Sequence, residues 1–436
     1  MSNQKPNQKP NQKPNQKSDQ KSDQIMLVSI SGQDKPGLMA ALMALIVKAE
    51  SEILDMGQAV IHAELALSVL LRVRDFDALA DEIRHDFESP GFAIRLSKVS
   101  ADSYQQWAQG LARSPLILTL LAQGGGAEPV HAISALTHRY GLNIDTVRRL
   151  TLPHASVALD ADPGTTRLGI EMRLGGELQH SETFQAELLT VANAIGFDFS
   201  LQRDTVFRRN RRLVAFDMDS TLIAVEVMDE LAKRYGVGAQ VVEITAAAMA
   251  GQLDFQQSFR RRAALLRGMP EKTLHEVATS VTLSSGAHRL IRALKHFGYR
   301  TAVLSGGFQY VGEHLQQELG IDYVFANRLE VVDGVMTGEV VGEIVDAQRK
   351  ADLLLTLAQR EGISLQQTIA VGDGANDLPM LQRAGLGVAY HAKSIVRESA
   401  SHSISNFGLD AILYLIGFND LDVAQALAST QELGAG

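Results

Sequence analysis

The C-terminal half of the chain alternates short apolar runs with segments of helical pattern. From Arg211 onward, four apolar runs end in Gly, Ser, Asp or Tyr: "LVAFDMD", "RTAVLSGG", "TIAVGDGAND" and "LGVAY". Such alternation is typical of a parallel sheet whose functional loops emerge at the carboxyl ends of the strands. We therefore predict an α/β fold, with a Rossmann-like parallel-sheet core over residues 211–436.

A long segment of mostly helical pattern, residues 225–282, separates the first of these strands from the next. An insertion of that size beside the end of a strand predicts a helical cap over a site. Further on, Asp333-Gly334 lies between two β-prone runs, and this dipeptide predicts a tight hairpin.

The N-terminal half has another organisation. Residues 26–101 follow the order β-α-β-β-α-β, the split βαβ plan, and residues 112–204 repeat that order with little sequence similarity. Residues 1–25 are a polar repeat of "NQKP" type without the apolar centre of a signal peptide, so we expect a disordered tail. Two ferredoxin-like (βαββαβ) domains should therefore precede the core.

Composition excludes several classes of function. The 41 basic and 50 acidic residues give a net charge of −9, which offers no general attraction to nucleic acid or to an anionic membrane. The absence of cysteine excludes disulfides, thiolate metal sites and cysteine nucleophiles. No apolar run reaches the length of a membrane helix. We expect a cytoplasmic protein with no nucleic-acid or membrane partner.

Asp217 and Asp219 stand at the end of the first apolar run of the core. Side chains two residues apart point the same way in an extended backbone, and like charges that close need a cation or a shared proton. An EF-hand loop would require glycine where Leu222 stands, so that interpretation fails. A capping role is the less favoured alternative. The pair indicates a metal site or acid/base chemistry.

Two further loops should emerge at the same edge of the sheet. In "GDGAND", Asp373 lies between glycines and can join Asp217 and Asp219 around one hard cation, for which Mg²⁺ is well suited. In "LSGGF", Ser305 offers a hydroxyl, and Gly306 and Gly307 allow backbone N–H groups to approach an anion. Alone, Ser-Gly-Gly is an ordinary turn, and Lys350 alone is an ordinary surface charge.

Together, "DMDST", "SGG", Lys350 and "GDGAND" resemble the haloacid dehalogenase-like phosphohydrolases. Within that superfamily, "FDMDSTLIAVEVMDELA", "LDFQQSFRRRAALL" and "VGDGANDLPML" are similar to the branch that hydrolyses phosphoserine. The resemblance implies magnesium-dependent hydrolysis of O-phospho-L-serine to L-serine and phosphate, the final step of serine biosynthesis.

The resemblance also assigns roles to individual residues. Asp217 would be the nucleophile that forms an aspartyl phosphate, and Asp219 the general acid and base. Magnesium would be held by Asp217, Asp373 and the backbone carbonyl of Asp219. The remaining assignments are phosphate contacts from Ser305, Gly306 and Lys350, a substrate contact from Asn376, and orientation of Lys350 or a metal-bound water by Asp377.

In the cap, the resemblance makes Glu226 the acceptor for the substrate ammonium and Arg262 the clamp for its carboxylate. Met249 and Phe255 would shield the site from water. The alternative for each is a residue of an ordinary packed helix, with Arg260 and Arg261 as surface charges beside Arg262.

The N-terminal tandem resembles a pair of ACT-type amino-acid-binding domains, on the loop "GQDKPGL" of the first copy. The second copy lacks this signal. The resemblance implies a small ligand, such as serine, at an interface between paired subunits of a homodimer, with Asp34 near it. The alternative is that Pro36 and Gly37 only start a helix.

Two rival functions stay open. One is a phosphatase or phosphotransferase for another small phosphorylated amino compound, against which Glu226 and Arg262 argue. The other is a regulatory amino-acid-binding protein with a vestigial core, against which the complete set of Asp217, Asp219, Lys350 and Asp373 argues.

Overall fold

A computed structural model describes residues 24–88, 92–111, 115–124, 126–152, 167–393, 396–397 and 402–432. The predicted disordered tail lies outside the described residues, except for its last two positions. The chain divides into two compact units, residues 1–112 and 113–436. No helix among the described residues is both long enough and apolar enough to cross a membrane.

The first unit is a four-stranded antiparallel sheet with strand order β2-β3-β1-β4. Along β1, Met26, Val28 and Ile30 are buried while the residues between them are more exposed, so one face of the sheet packs on the helices. The elements are β1 (Gln24–Gln33), α1 (Leu38–Lys48), β2 (Glu52–Ile61), β3 (Glu64–Val73), α2 (Phe76–Phe87), β4 (Phe92–Val99) and α3 (Ala101–Leu111).

The second unit begins with the same arrangement. Its first four strands, β5 to β8, have the order β6-β7-β5-β8, which repeats the order β2-β3-β1-β4 of the first unit. The predicted pair of ferredoxin-like folds is therefore confirmed. The elements are β5 (Leu116–Gln123), α4 (Ala127–Arg139), β6 (Asn143–Arg149), β7 (Arg167–Gly175), α5 (Ser181–Ile195) and β8 (Asp198–Arg203).

The core that follows is the predicted parallel sheet. Strands β11, β10, β9, β13, β14 and β15 are neighbours in that order and run parallel, and β12 pairs antiparallel with β11 at the edge. The strands are β9 (Leu213–Phe216), β10 (Arg300–Phe308), β11 (Tyr323–Val332), β12 (Val335–Val341), β13 (Thr368–Gly372), β14 (Leu386–Tyr390) and β15 (His402–Ile404).

Helices surround this sheet and form the insertion. They are α6 (Val227–Tyr235), α7 (Gly238–Met249), α8 (Phe255–Ala264), α9 (Glu271–Ser280), α10 (Ala287–His296), α11 (Gln309–Leu319), α12 (Ala347–Arg360), α13 (Leu378–Arg383), α14 (Ile412–Leu415) and α15 (Asp420–Glu432). The predicted hairpin joins β11 to β12, with positive φ at both Asp333 and Gly334, as a two-residue primed turn requires.

The insertion has a defined base. Ile223 and Leu283 form an isolated antiparallel bridge, and the Ala224 N–H donates to the Thr282 carbonyl at 2.8 Å. The two chain segments that enter and leave the insertion are thus tied together, and α6 to α9 lie between them. The bridge lies within two residues of the cap limits predicted from the sequence.

The second ferredoxin-like fold is joined to the core through its edge strand. Strand β8 pairs antiparallel with β15, so both sheets form one sheet of eleven strands. At this seam Ser200 Oγ and His402 Nδ1 are 3.0 Å apart. Burial, helped by the charge of Arg211, lowers the pKa of His402 to about 3, so the imidazole is neutral in the seam.

Candidate active site

The site is built where β9 ends between its parallel neighbours β10 and β13. Asp217 follows the strand directly and is 5 % exposed. Its Oδ1 accepts a hydrogen bond from the Met218 N–H at 2.8 Å. An irregular turn over residues 218–222 follows, with Ser220 at a φ of 57°. The buried strand and this turn hold the carboxylate of Asp217 in one orientation.

Lys350 reaches Asp217 from the first turns of α12. Its Nζ lies 2.8 Å from Asp217 Oδ1 and 2.8 Å from Asp377 Oδ1. Burial alone would lower the pKa of Lys350, but the two carboxylates raise it above its ordinary value, so the ammonium is charged. The other oxygen of Asp377 accepts from the Gly374 N–H at 3.0 Å. Lys350 is therefore a buried cation fixed by two acids.

Asp373 brings a third acid to this point. Carboxylate oxygens of Asp217, Asp373 and Asp377 all lie within 4.8 Å of one another, and all three residues are buried. Burial and the charge of Asp217 raise the pKa of Asp373 to about 6, and the same causes raise that of Asp377 to about 7. Lys350 compensates only part of this negative charge, so a hard divalent cation fits the cluster.

Asp219 lies in a different environment from Asp217. Burial, followed by the charges of Glu226 and Asp217, raises the pKa of Asp219 well above its ordinary value. Its Oδ1 accepts a 3.4 Å hydrogen bond from the Val227 N–H at the start of α6. A carboxyl group whose pKa is raised in this way holds a proton that it can donate, which is what a general acid requires.

The Ser305-Gly306-Gly307 segment ends β10 beside these acids. Ser305 Oγ accepts from the Gly307 N–H at 2.9 Å. A Cβ at position 307 would lie 2.5 Å from Asp219 Oδ2, and one at 306 would lie 2.9 Å from the Phe255 ring. A side chain at either position would therefore displace the Asp219 carboxylate or the Phe255 ring from its place beside the backbone.

A cavity of about 420 Å³ opens between these core residues and the cap. Eleven of the predicted site residues line it: Asp217, Asp219, Glu226, Met249, Phe255, Arg262, Ser305, Gly306, Gly307, Asp373 and Asn376. The other two residues predicted for this site, Lys350 and Asp377, lie behind Asp217 rather than at the cavity surface.

Arg262 is the cap residue with the clearest unused bonding capacity. Its Nε is buried and has no hydrogen-bond partner within the described ranges. Burial lowers the pKa of Arg262, against the opposing charges of Asp229, Glu226 and Asp219. Across the cavity wall, Glu226 accepts from Ser220 Oγ at 2.9 Å. Both charged cap side chains therefore face the cavity that contains Asp217.

The predicted water shield is uneven. Phe255 is partly buried, and its ring stacks on that of Phe259 with centroids 6.1 Å apart. Met249, at the end of α7, is 76 % exposed although it borders the cavity. In this conformation Phe255 covers the site more closely than Met249 does.

Among the residues that sequence reasoning did not single out are Thr221, Phe308 and Lys393. Thr221 Oγ1 donates to Asp373 Oδ1 at 3.0 Å, and Phe308 and Lys393 line the cavity. Thr221 could have been found from its spacing, two residues after Asp219. Lys393 follows β14 and so belongs to the loops at the same edge of the sheet. The one sequence feature that could have indicated Phe308 is its position three residues after Ser305.

Asp34 lies in the first unit, in the loop between β1 and α1. It is exposed, and its N–H donates to the Ala63 carbonyl at 2.8 Å. Gly37 has a φ of 93° immediately before α1, so the loop also needs this glycine for its turn. Both the ligand role and the purely structural role of this loop stay predictions.

Comparisons with known proteins identify the families that this chain resembles. The haloacid dehalogenase-like hydrolase family model matches residues 214–382, and an ACT domain model matches residues 24–86. A phosphoserine phosphatase from Streptomyces coelicolor is 38 % identical over 412 residues, covering 94 % of this chain and 96 % of the relative. One from Mycobacterium tuberculosis is 37 % identical, covering 90 % and 93 % respectively.

A solved structure supports the same conclusion. That of a haloacid dehalogenase family hydrolase from Salmonella enterica serovar Typhi has a TM-score of 0.61 and 33 % identity, covering 70 % of this chain and 99 % of the other. The chain belongs to the phosphoserine phosphatases of the haloacid dehalogenase-like hydrolase family, with an ACT domain near its N-terminal end.

Proposed function

We propose that this chain hydrolyses O-phospho-L-serine to L-serine and phosphate, with magnesium, through an aspartyl phosphate on Asp217. The observation that carries the proposal is the cavity that joins two kinds of group. Its lining includes an acid pair in contrasting environments, Asp217 and Asp219, and Arg262, whose buried Nε has no hydrogen-bond partner among the described residues. The names of the relatives support the same substrate.

In the first step, a carboxylate oxygen of Asp217 attacks phosphorus, and the bond from phosphorus to the serine oxygen breaks. Asp219 gives its proton to that oxygen, so serine leaves as a neutral alcohol. The raised pKa of Asp219 supports this role, because it favours the protonated form that can donate to the leaving oxygen.

In the second step, Asp219 accepts a proton from a water molecule, whose oxygen attacks phosphorus. The bond from phosphorus to Asp217 breaks, which restores the carboxylate and releases phosphate. Ser305, the backbone of Gly306 and the Lys350 ammonium would hold the phosphoryl oxygens. Lys350 already contacts Asp217 Oδ1, so its charge is next to the bond that forms and breaks.

Asp217 and Asp373 are the carboxylates that would hold Mg²⁺, with the predicted third ligand from the Asp219 carbonyl. Asp377 belongs to the same cluster, but both of its oxygens are engaged by Lys350 and the Gly374 N–H, so we assign it a positioning role. When bound, the ion supplies positive charge that lets an anionic carboxylate approach an anionic phosphate ester.

Substrate choice follows from the cap side of the cavity. Arg262 can form a forked pair with the serine carboxylate, and Glu226 can accept from its ammonium. A plain phosphate ester has neither a carboxylate nor an ammonium, so Arg262 and Glu226 would have nothing to bind on it. Phosphoserine therefore fits the cavity better than a phosphorylated alcohol does.

The ACT domain leads to the rest of the proposal. We propose that the chain is a cytoplasmic homodimer and that its ACT-like folds bind an amino acid such as serine, near Asp34 in the first copy. Titration of serine into the purified protein tests this regulation. Neither binding nor a change in rate would remove serine from the proposal and leave the catalytic assignment intact.

The catalytic proposal is tested by phosphate release from a panel of phosphorylated metabolites, with and without magnesium. We expect phosphoserine to have the highest kcat/KM and every rate to collapse when the metal is chelated. Trapping the labelled enzyme with acid should yield one phosphate on Asp217. A higher kcat/KM for a substrate without an amino acid group would contradict the proposed substrate.

A further inference from the structure

The lining of the cavity includes one basic residue to which the assignments above give no role. Four acidic side chains line the cavity, namely Asp217, Asp219, Glu226 and Asp373, whereas Arg262 and Lys393 are its basic lining residues. With Asp219 as the proton donor and Asp217 and Asp373 holding the proposed cation, the charged lining residues left are Glu226, Arg262 and Lys393. Lys393 is the basic residue of the lining that no step of the proposed reaction uses.

The backbone of Lys393 is attached to the loop that carries Asp373. The Lys393 N–H donates to the Asp373 carbonyl at 3.3 Å. Two residues earlier, the His391 N–H donates to the Ile404 carbonyl at 2.7 Å, which ties the segment to β15. The origin of the lysine side chain is thus fixed next to the proposed metal site.

The side chain itself is exposed, and no ion pair holds it among the residues that the structure describes. Lys350 is its opposite in this respect, since it is fully buried and shared between two carboxylates. Lys393 lines the same cavity as Asp217 and Asp373. Lys393 is therefore a free cation at the cavity.

We propose that Lys393 binds the phosphate group as it enters the cavity and again as it leaves, and that it takes no part in bond making or breaking. The inference rests on the proposed function and extends it to one more substrate-binding residue. A flexible, hydrated ammonium is suited to attracting an anion over distance, whereas the fixed Lys350 is suited to the transferring phosphoryl group.

The test compares Lys393→Gln with Lys272→Gln, each with magnesium bound. Lys272 is 83 % exposed on α9 and lies outside the cavity, so this control removes the same charge elsewhere. At low salt we expect Lys393→Gln to raise the KM for phosphoserine about fivefold, with kcat changed less than about twofold. Lys272→Gln should match the parent chain.

Two further measurements separate phosphate binding from a structural effect. The Kd of inorganic phosphate, measured by calorimetry without any substrate, should rise by a similar factor in Lys393→Gln and return in Lys393→Arg. In about 1 M salt, where the Debye length falls to about 3 Å, parent and variant should converge.

An unchanged phosphate Kd in Lys393→Gln would overturn the proposal, and so would a fall in kcat with KM unaltered. The outcome for the proposed function is read separately. If the parent chain failed to hydrolyse phosphoserine, the function would be wrong, while the calorimetric comparison would still decide whether Lys393 binds phosphate.

Discussion

The cavity has two sides that differ in how their residues are held. We call the side formed by the core the floor. It consists of Asp217 and Asp373 at the cavity surface, with Lys350 and Asp377 directly behind them, and all four are at most 8 % exposed. We call the cap side the roof, represented by Arg262, Glu226, Met249 and Phe255, which are partly buried or exposed. The floor residues are buried and in close contact with one another, whereas the roof residues are more exposed, and Arg262 Nε has no hydrogen-bond partner among the described residues.

This difference indicates that the core and the cap have different roles in the proposed reaction. The acids of the proposed phosphate site follow the ends of parallel strands, where backbone geometry holds them. The residues proposed to recognise the rest of the substrate belong to the inserted helical segment, which is tied to the core at Ile223 and Leu283. Substitutions in the floor should therefore affect every phosphate ester equally, and substitutions in the roof should affect phosphoserine selectively.

The largest effect is expected for Asp217→Asn, because an amide cannot serve as the nucleophile. Hydrolysis of both phosphoserine and p-nitrophenyl phosphate should fall by roughly 10⁴-fold or more, as is usual for loss of a nucleophile. Initial rates on both substrates check this. Asp333→Asn, in the hairpin turn, is the matched control and should retain full activity. If the variant still hydrolysed one of the two esters and not the other, the distinction between floor and roof would be wrong.

Asp373→Asn is expected to come next, since it removes one carboxylate from the proposed metal site. The variant should need about 10- to 100-fold more magnesium for half-maximal rate, by analogy with other losses at metal sites. Magnesium titrations on both substrates measure this, and the two shifts should be equal. An unchanged magnesium requirement would remove Asp373 from the metal site.

Arg262→Ala should separate the two sides most clearly. We expect a loss of about 10²-fold in kcat/KM for phosphoserine, the scale of a charge-assisted hydrogen-bonded pair, and less than threefold for p-nitrophenyl phosphate. Arg261→Ala, exposed on the same helix and outside the cavity, is the matched control. Equal losses on the two substrates would show that Arg262 supports the cap instead of binding the substrate.

The smallest effect is expected for Met249→Ala, because its side chain is 76 % exposed and already leaves part of the cavity open. Its kcat/KM for phosphoserine should fall by less than about threefold, as for most exposed substitutions. Phe255→Ala, which removes the ring packed over Gly306, should cost more. A larger loss for Met249 than for Phe255 would indicate that the cap closes further over bound substrate.

Much of the fold could be predicted because its signals are local. The alternation of strands and helices, the Asp333-Gly334 turn and the repeated β-α-β-β-α-β order each depend on neighbouring residues. The acids of the floor were predictable for the same reason, since Asp217 and Asp219 share a strand end and Asp373 ends a parallel neighbour.

The two ferredoxin-like folds mark the limit of such local signals. Both have the same strand order, yet the second continues into the core sheet through β8 and β15, and the first keeps a four-stranded sheet. The pairing depends on two segments about two hundred positions apart, His402 with Ser200. No periodicity within either segment encodes which partner it meets.

The sequence by itself determined the order of the elements and the chemistry at the ends of the core strands, because backbone preference and hydrophobic period act over a few residues. Only the tertiary structure decided that Lys350 bridges Asp217 and Asp377, that Met249 stays exposed at the edge of the cavity, and that Lys393 joins the site. These outcomes depend on helix register and on packing between distant segments, where burial and charge are settled by the whole core at once.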